Sequence, residues 1–237
     1  MKRLTIRFAG RLLLIQAFLF FSITVFSQDT LLNKHGLWVI RSVDVYKKTI
    51  ATDPSKKMVS INSKIPNAIL DLKYAGTDNF MHERLYPVIH TTYLRQAALN
   101  ALDSVQSELR AKHLCIKIWD AYRPYSVTEK MWEPVKDDRY AADPKFGSGH
   151  NRGIAVDLTI VNLTTGKELD MGTGFDNFSD TAHHDFKFLS ENILQNRTML
   201  RTVMEKYGFK ALETEWWHYY LPDTKKYELL DLGFDKL

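Results

Sequence analysis

Ser148-Gly-His-Asn-Arg-Gly-Ile-Ala-Val-Asp157 is the stretch on which the reading of this chain turns. A glycine-punctuated polar turn runs into the β-branched segment Ile154 to Val161, the pattern of a central strand entered from a loop. His150 in the turn offers an imidazole. Asp157 offers a carboxylate on the same strand face as Ala155 and Thr159, a rigid place for a ligand. Far downstream, Glu215-Trp-Trp-His218 adds a second imidazole with a carboxylate three residues before it. Two His and one Asp are a sufficient ligand set for a catalytic zinc, with a fourth position open for water. Glu215 is then free to take a proton from that water. Each half alone also fits a plainer role, a polar loop histidine or an amphipathic edge strand with aromatics in the core. No local helical His pair fixes the metal.

The second stretch poses a geometric problem. Positions three apart on a regular strand point to opposite faces, so Glu215 and His218 cannot both reach one site from an undistorted strand. Either Glu215 lies in the turn before the strand or a bulge re-aims one side chain; the first is the expectation here.

Ser148-x-His150-x-x-Gly153-x-Ala155-x-Asp157 followed by Glu215-x-x-His218 resembles the signature of the zinc D,D-peptidases, a superfamily that includes the hedgehog-type domains. Trp119-Asp-Ala-Tyr-Arg-Pro124, Asp71-Leu-Lys-Tyr74 through Phe80, and Met171-Gly-Thr-Gly-Phe-Asp176 are similar to the D-Ala-D-Ala dipeptidases of the vancomycin-resistance type. The resemblance runs in order from about Ile61 to about Leu221. It implies one Zn2+ per chain on His150, Asp157 and His218, with Glu215 as general base. Arg123 in Tyr-Arg-Pro would stabilise the oxyanion, since a guanidinium stays charged and offers a fixed fork of donors. An ion pair with Asp120 or Asp176 is the alternative for Arg123. Asp176 and Tyr74 would hold the substrate ammonium, and Ser148 would meet its carboxylate. Gly149 stands where the resistance-type enzymes more often carry a second Ser. His183 and His184 are expected to be structural, the ligand set being complete without them. The implied activity is hydrolysis of a small dipeptide, D-Ala-D-Ala. The alternatives are a D,D- or L,D-carboxypeptidase trimming peptidoglycan stem peptides and a non-enzymatic zinc domain; Glu215 and Arg123 argue against the last.

Around these motifs the pattern predicts α+β in a single domain, with helices packed on an antiparallel-rich central sheet and the zinc in a cleft on the sheet. A strand is expected over Ala68 to Tyr74 and a helix over Thr91 to Lys112, where Leu94, Ala98, Leu102, Val105 and Leu109 recur at helical spacing. A strand follows over Leu114 to Ile118. Next comes a helix from Val127 to Val135, capped by Ser126 and limited by Pro134. A long helix from Ser190 to Tyr207 is closed by Gly208, and Glu215 to Leu221 reads as the last strand.

Residues 1–27 have a basic start (Lys2, Arg3, Arg7, Arg11), an apolar run from Leu12 to Phe26 and a small residue at Ser27. This is the pattern of a cleaved secretory signal peptide, and it implies a periplasmic or secreted protein. A signal anchor is the rival reading, although the run is short for a span of about 20 residues. Those four cations account for the whole formal charge of +4. The remainder is neutral and gives no reason to expect a nucleic acid or an anionic surface as partner, or stable membrane insertion after cleavage. Cys115 is the single cysteine, so no internal disulfide forms, and within Leu114 to Trp119 it reads as a buried structural thiol. Residues 28–60 lie before the motifs and are expected as an N-terminal extension packed on the surface of the 61–237 domain.

Overall fold

The computed structural model describes residues 32–237, so the leader expected over 1–27 lies outside the described residues. The chain begins with β1 (Val39–Ile40), α1 (Val43–Thr52), β2 (Met58–Ser60), α2 (Ile61–Lys64), β3 (Ile69–Leu70) and β4 (Tyr93–Arg95). It continues through α3 (Gln96–Arg110), β5 (Leu114–Asp120), α4 (Tyr125–Val135) and β6 (Ala155–Asn162). It closes with α5 (Glu191–Lys206), β7 (Lys210–Leu212), β8 (Glu215–Tyr220) and β9 (Leu229–Leu230). No helix of the described residues is long and apolar enough to cross a membrane.

The main sheet has the order β3-β5-β6-β8-β7, and only the β3-β5 pair is parallel. The antiparallel-rich α+β expectation therefore holds. Strand β6 is buried over nearly its whole length, as a central strand covered on both faces must be. Its even positions, Val156, Leu158 and Ile160, belong to the main core with Leu99, Leu102 and Val105 of α3 and Leu200 and Val203 of α5. Alternation then turns Ala155, Asp157 and Thr159 to the opposite face. Helices cover one side of the sheet, and the chemistry-bearing residues are left on the other.

Two predicted elements change. The strand expected over Ala68 to Tyr74 is only β3, and Lys73–Ala75 form a single 3-10 turn that buries Tyr74. The helix expected from Thr91 begins at Gln96, because Tyr93–Arg95 pair with β2 instead. Leu94 matches the helical period yet is buried from a strand. Arg95 is wholly buried, and its guanidinium donates to the carbonyls of Lys56, Arg152 and Glu228, which ties three segments together. Helix α4 starts two residues earlier than expected, and Ser126 is not its cap. Asp231 supplies the acceptor, taking hydrogen bonds from Ser126 N (2.9 Å) and Ser126 Oγ (2.7 Å). Helix α5 ends as expected, with Gly208 at φ +92° and paired bonds from Gly208 N to Glu205 O and Phe209 N to Met204 O.

Residues 32–60 do more than lie on the surface. Strand β1 pairs in parallel with β9. Ile40, Tyr46 and Met58 enter a second core with Tyr74, Tyr122, Leu230 and Phe234. Tyr46 Oη accepts from Met58 N at 2.7 Å. This second core lies beneath the segments that carry Tyr74 and Arg123. Cys115 is buried, its thiol donates to Asn67 O at 3.0 Å, and burial pushes its pKa up, as suits a structural thiol.

Candidate active site

The turn from Ser148 to Gly153 is built around Asn151. Its Oδ1 accepts from Ser148 N at 2.9 Å, and its Nδ2 donates to Arg123 O and Thr128 Oγ1. Gly153 sits at φ +69°, where a Cβ would fall 2.5 Å from Met58 Sδ, so the position requires glycine. The turn delivers His150 above β6, and β6 delivers Asp157 directly opposite His218 of β8. Glu215 is the first residue of β8, immediately after a two-residue turn, and the β7-β8 register shifts between Ala211 and Leu212. The strand irregularity, rather than placement of Glu215 outside the strand, resolves the three-residue spacing. Glu215 Oε2 comes within 3.9 Å of His218 Nδ1.

His150, Asp157 and His218 offer ligand atoms that all lie within 4.8 Å of one another. His150 Nδ1 is 2.7 Å from Ala121 O. A carbonyl only accepts, so that nitrogen carries a proton, and in the neutral ring Nε2 is the lone-pair donor. Nε2 is 3.2 Å from His218 Nδ1 and 3.4 Å from Asp157 Oδ2, while His218 Nδ1 is 2.9 Å from Asp157 Oδ1. Three electron-rich atoms thus converge with at most one proton among them. A tetrahedral zinc with bonds of about 2.0–2.1 Å holds its ligands roughly 3.3 Å apart, so the donor set and its spacing fit that ion. Burial alone would raise the pKa of Asp157, but the two imidazoles outweigh it and hold the carboxyl below the usual range. Burial lowers the pKa of His218, which favours the neutral ring a metal needs.

Arg123 and Asp120 form a buried pair: Arg123 Nε and Nη2 both donate to Asp120 Oδ2, at 3.0 and 2.8 Å. Asp120 Oδ1 accepts from Tyr86 Oη at 2.8 Å. The ion pair and a place in the cleft are not alternatives, because Arg123 also lines the cavity, 3.9 Å from Asp157 and over the Tyr74 ring. Asp120 thereby fixes the guanidinium beside the metal ligands.

The cleft measures about 280 Å³. Asp176 and Tyr74 line one end, where Tyr74 Oη donates to Asp176 Oδ1 (2.9 Å) and Phe80 N to Oδ2 (3.1 Å). Burial pushes the Asp176 carboxyl up to about 7 despite those donors. Glu215 is raised well above the ordinary carboxylate value by burial, with Asp157 and Asp176 adding to the shift; a cation at the ligand cluster would draw it back down. Ser148 and Gly149 line the cleft too, with Ser148 Oγ accepting from His150 N at 3.2 Å. His183 and His184 stand outside both the cleft and the ligand cluster. Burial holds the His184 ring near a pKa of about 4, and its backbone N donates to Glu213 O.

All eight residues singled out in the sequence therefore line this one cleft. Sequence reasoning missed Asn151 and the strap Asp138–Ala142, which forms a wall of the cavity. The Asn of Ser-Gly-His-Asn-Arg-Gly was on view, but its partners Arg123 and Thr128 lie far away in the chain.

Comparison with known proteins agrees with this arrangement. A family model described as D-ala-D-ala dipeptidase matches residues 54–234. The chain is similar to a D-alanyl-D-alanine dipeptidase of Escherichia coli K12, 33% identical over 73% of this chain and 89% of that one. A D-alanyl-D-alanine dipeptidase of Enterococcus faecalis V583 is 32% identical over 65% and 85%. The solved LdcB LD-carboxypeptidase shares 20% identity and a TM-score of 0.36 over 60% of this chain and 66% of that one, a likeness that bears no weight for substrate. With a family model spanning most of the chain, and relatives matched over most of their own length, this chain belongs to the D-Ala-D-Ala dipeptidase family.

Proposed function

We propose that this protein hydrolyses free D-Ala-D-Ala to two D-alanines with one zinc ion held by His150, Asp157 and His218. The observation that carries the reading is the half-buried Asp176 carboxylate that lines the cleft, fixed by Tyr74 Oη and Phe80 N. A free ammonium group satisfies that carboxylate, whereas a longer peptide brings a neutral amide and leaves it unpaired, at a cost of roughly 1–3 kcal/mol or more.

When bound, zinc supplies a Lewis acid and brings water to a pKa at which it attacks near neutral pH. Glu215, beside His218, accepts the proton released on attack and returns it to the leaving amine. Arg123, held rigid by Asp120, offers its guanidinium to the developing oxyanion. Tyr74 and Asp176 bind the ammonium, and Ser148 and the backbone near Gly149 receive the carboxylate. The leader pattern at residues 1–27 supports an exported enzyme, which would act on dipeptide from cell-wall peptide turnover and not on the cytoplasmic precursor pool.

The test is metal content together with hydrolysis. About one zinc per chain, lost in His150→Ala and His218→Ala, is expected, with free D-Ala-D-Ala cleaved far faster than a stem pentapeptide. Equal kcat/KM on the two substrates would replace the dipeptidase reading by a carboxypeptidase one.

A further inference from the structure

The strap Asp138–Ala142 lines the cleft and is pinned at two places. At one pin Thr214 Oγ1, next to Glu215, donates to Arg139 O at 3.0 Å. At the other the Tyr140 ring lies nearly parallel to Phe178, with centroids 5.0 Å apart and an interplanar angle of 23°. Phe178 in turn meets Phe80 (5.1 Å), and Phe80 meets Tyr74 (6.4 Å). An unbroken file of rings thus runs from the hydroxyl that holds Asp176 to the strap. Phe178 lies two residues beyond Asp176, and Phe80 and Tyr140 both line the cleft. None of these rings other than Tyr74 has a part in the chemistry derived above.

We infer that Tyr140, braced by its stack on Phe178, is a specificity determinant that narrows the cleft beside the ammonium site and excludes peptides extended at the amino end. The inference rests on the dipeptidase reading and adds a second, steric component to it. Asp176 lines the cleft, and both its oxygens are already tied to Tyr74 and Phe80. A group added to the substrate nitrogen must share the cleft with Phe80 and Tyr140, the rings of this file other than Tyr74 that line it. Discrimination then has two separable parts. The carboxylate rejects the missing charge, and the rings reject the added bulk.

The experiment measures kcat/KM for D-Ala-D-Ala and for N-acetyl-D-Ala-D-Ala with the zinc-loaded full chain. Phe178→Ala removes the ring on which Tyr140 is stacked. The expected result is at least a tenfold rise in kcat/KM for the acetylated substrate, and Tyr140→Ala should give a rise in the same direction. Tyr140→Phe, which keeps the stacked face, should keep the selectivity of the unaltered protein. Zinc content and circular dichroism serve as fold controls, and Phe178→Leu replaces Phe178→Ala should the latter fail them. Cleavage of the dipeptide by the unaltered protein, with no rise for the acetylated substrate in folded variants, overturns the inference alone. A ratio that falls only because dipeptide cleavage drops overturns it as well. Failure of the unaltered zinc-loaded protein to cleave the dipeptide overturns the dipeptidase reading, and this inference with it.

Discussion

Glu215 is a buried and Asp176 a half-buried carboxyl, both with raised pKa values, yet the cleft asks opposite things of them. Glu215 must exchange a proton during turnover. Glu215→Gln should keep its zinc and its melting temperature while kcat falls by about 10²–10⁴, the usual share of general acid–base catalysis; turnover within a few-fold of normal would move the role elsewhere. Asp176 must be ionised to hold an ammonium, and its carboxyl titrates at about 7. KM for the dipeptide should therefore rise as pH falls through about 7, and Asp176→Asn should flatten that limb while raising KM throughout. The same shift has a sign for stability. Asp176 in the metal-free fold binds its proton more tightly than in the unfolded chain. Its contribution is thus fully present below the unfolded value near 4 and is lost as pH rises toward 7. His150, Asp157, His218 and Glu215 were legible from residue type and spacing, whereas the roles of Arg123, Asp176, Tyr74 and Ser148 were legible only through the family resemblance of the motifs that carry them. Asp120 was visible only as an ion-pair alternative for Arg123. That it steadies the guanidinium in the cleft depends on a bond from Tyr86, 34 positions upstream, which no local pattern encodes.

The elements that carry the site follow from a few local constraints, of which Gly153 is the sharpest. Gly153→Ala puts a side chain at φ +69° and against Met58, which should cost about 2–5 kcal/mol from left-handed strain and overpacking combined. Gly36→Ala, at φ +74° but with open space around it, should cost only about 1–2 kcal/mol, the strain alone. Urea unfolding of the two variants checks the contrast; equal losses would mean that the Met58 contact yields freely. Most elements were readable from period and caps, including β5, β6, β8 and the Schellman end of α5. The start of α3 was not. Leu94 continues the helical spacing by coincidence, and the pairing of Tyr93–Arg95 with β2 is decided by a partner 33 to 37 residues upstream. The cap of α4 was likewise unreadable, since Asp231 reaches it from the far end of the chain.

At the scale of the molecule, residues 32–60 and the segment after Tyr220 complete the second core beneath Tyr74 and Tyr122. Removing residues 1–60 takes out Ile40, Tyr46 and Met58, each contributing roughly 1.5–3 kcal/mol by burial. That loss is comparable to the whole stability of a domain, about 5–15 kcal/mol. The shortened chain should show no cooperative thermal transition by circular dichroism. A cooperative melt within a few degrees of the full chain would make the segment an appendage after all. The separation between Val39 and its partner Leu229 also has a bearing on time. Contacts so distant in sequence form late, after the chain has given up the entropy of closing the loop between them. As the polypeptide is synthesised from its amino end, β1 stays unpaired while the entire central sheet is being made. Its apolar face remains wet until β9 arrives. A chain that stops short of Leu229 thus leaves Ile40 and Tyr46 uncovered, and the last strand to be made is the one that closes the second core.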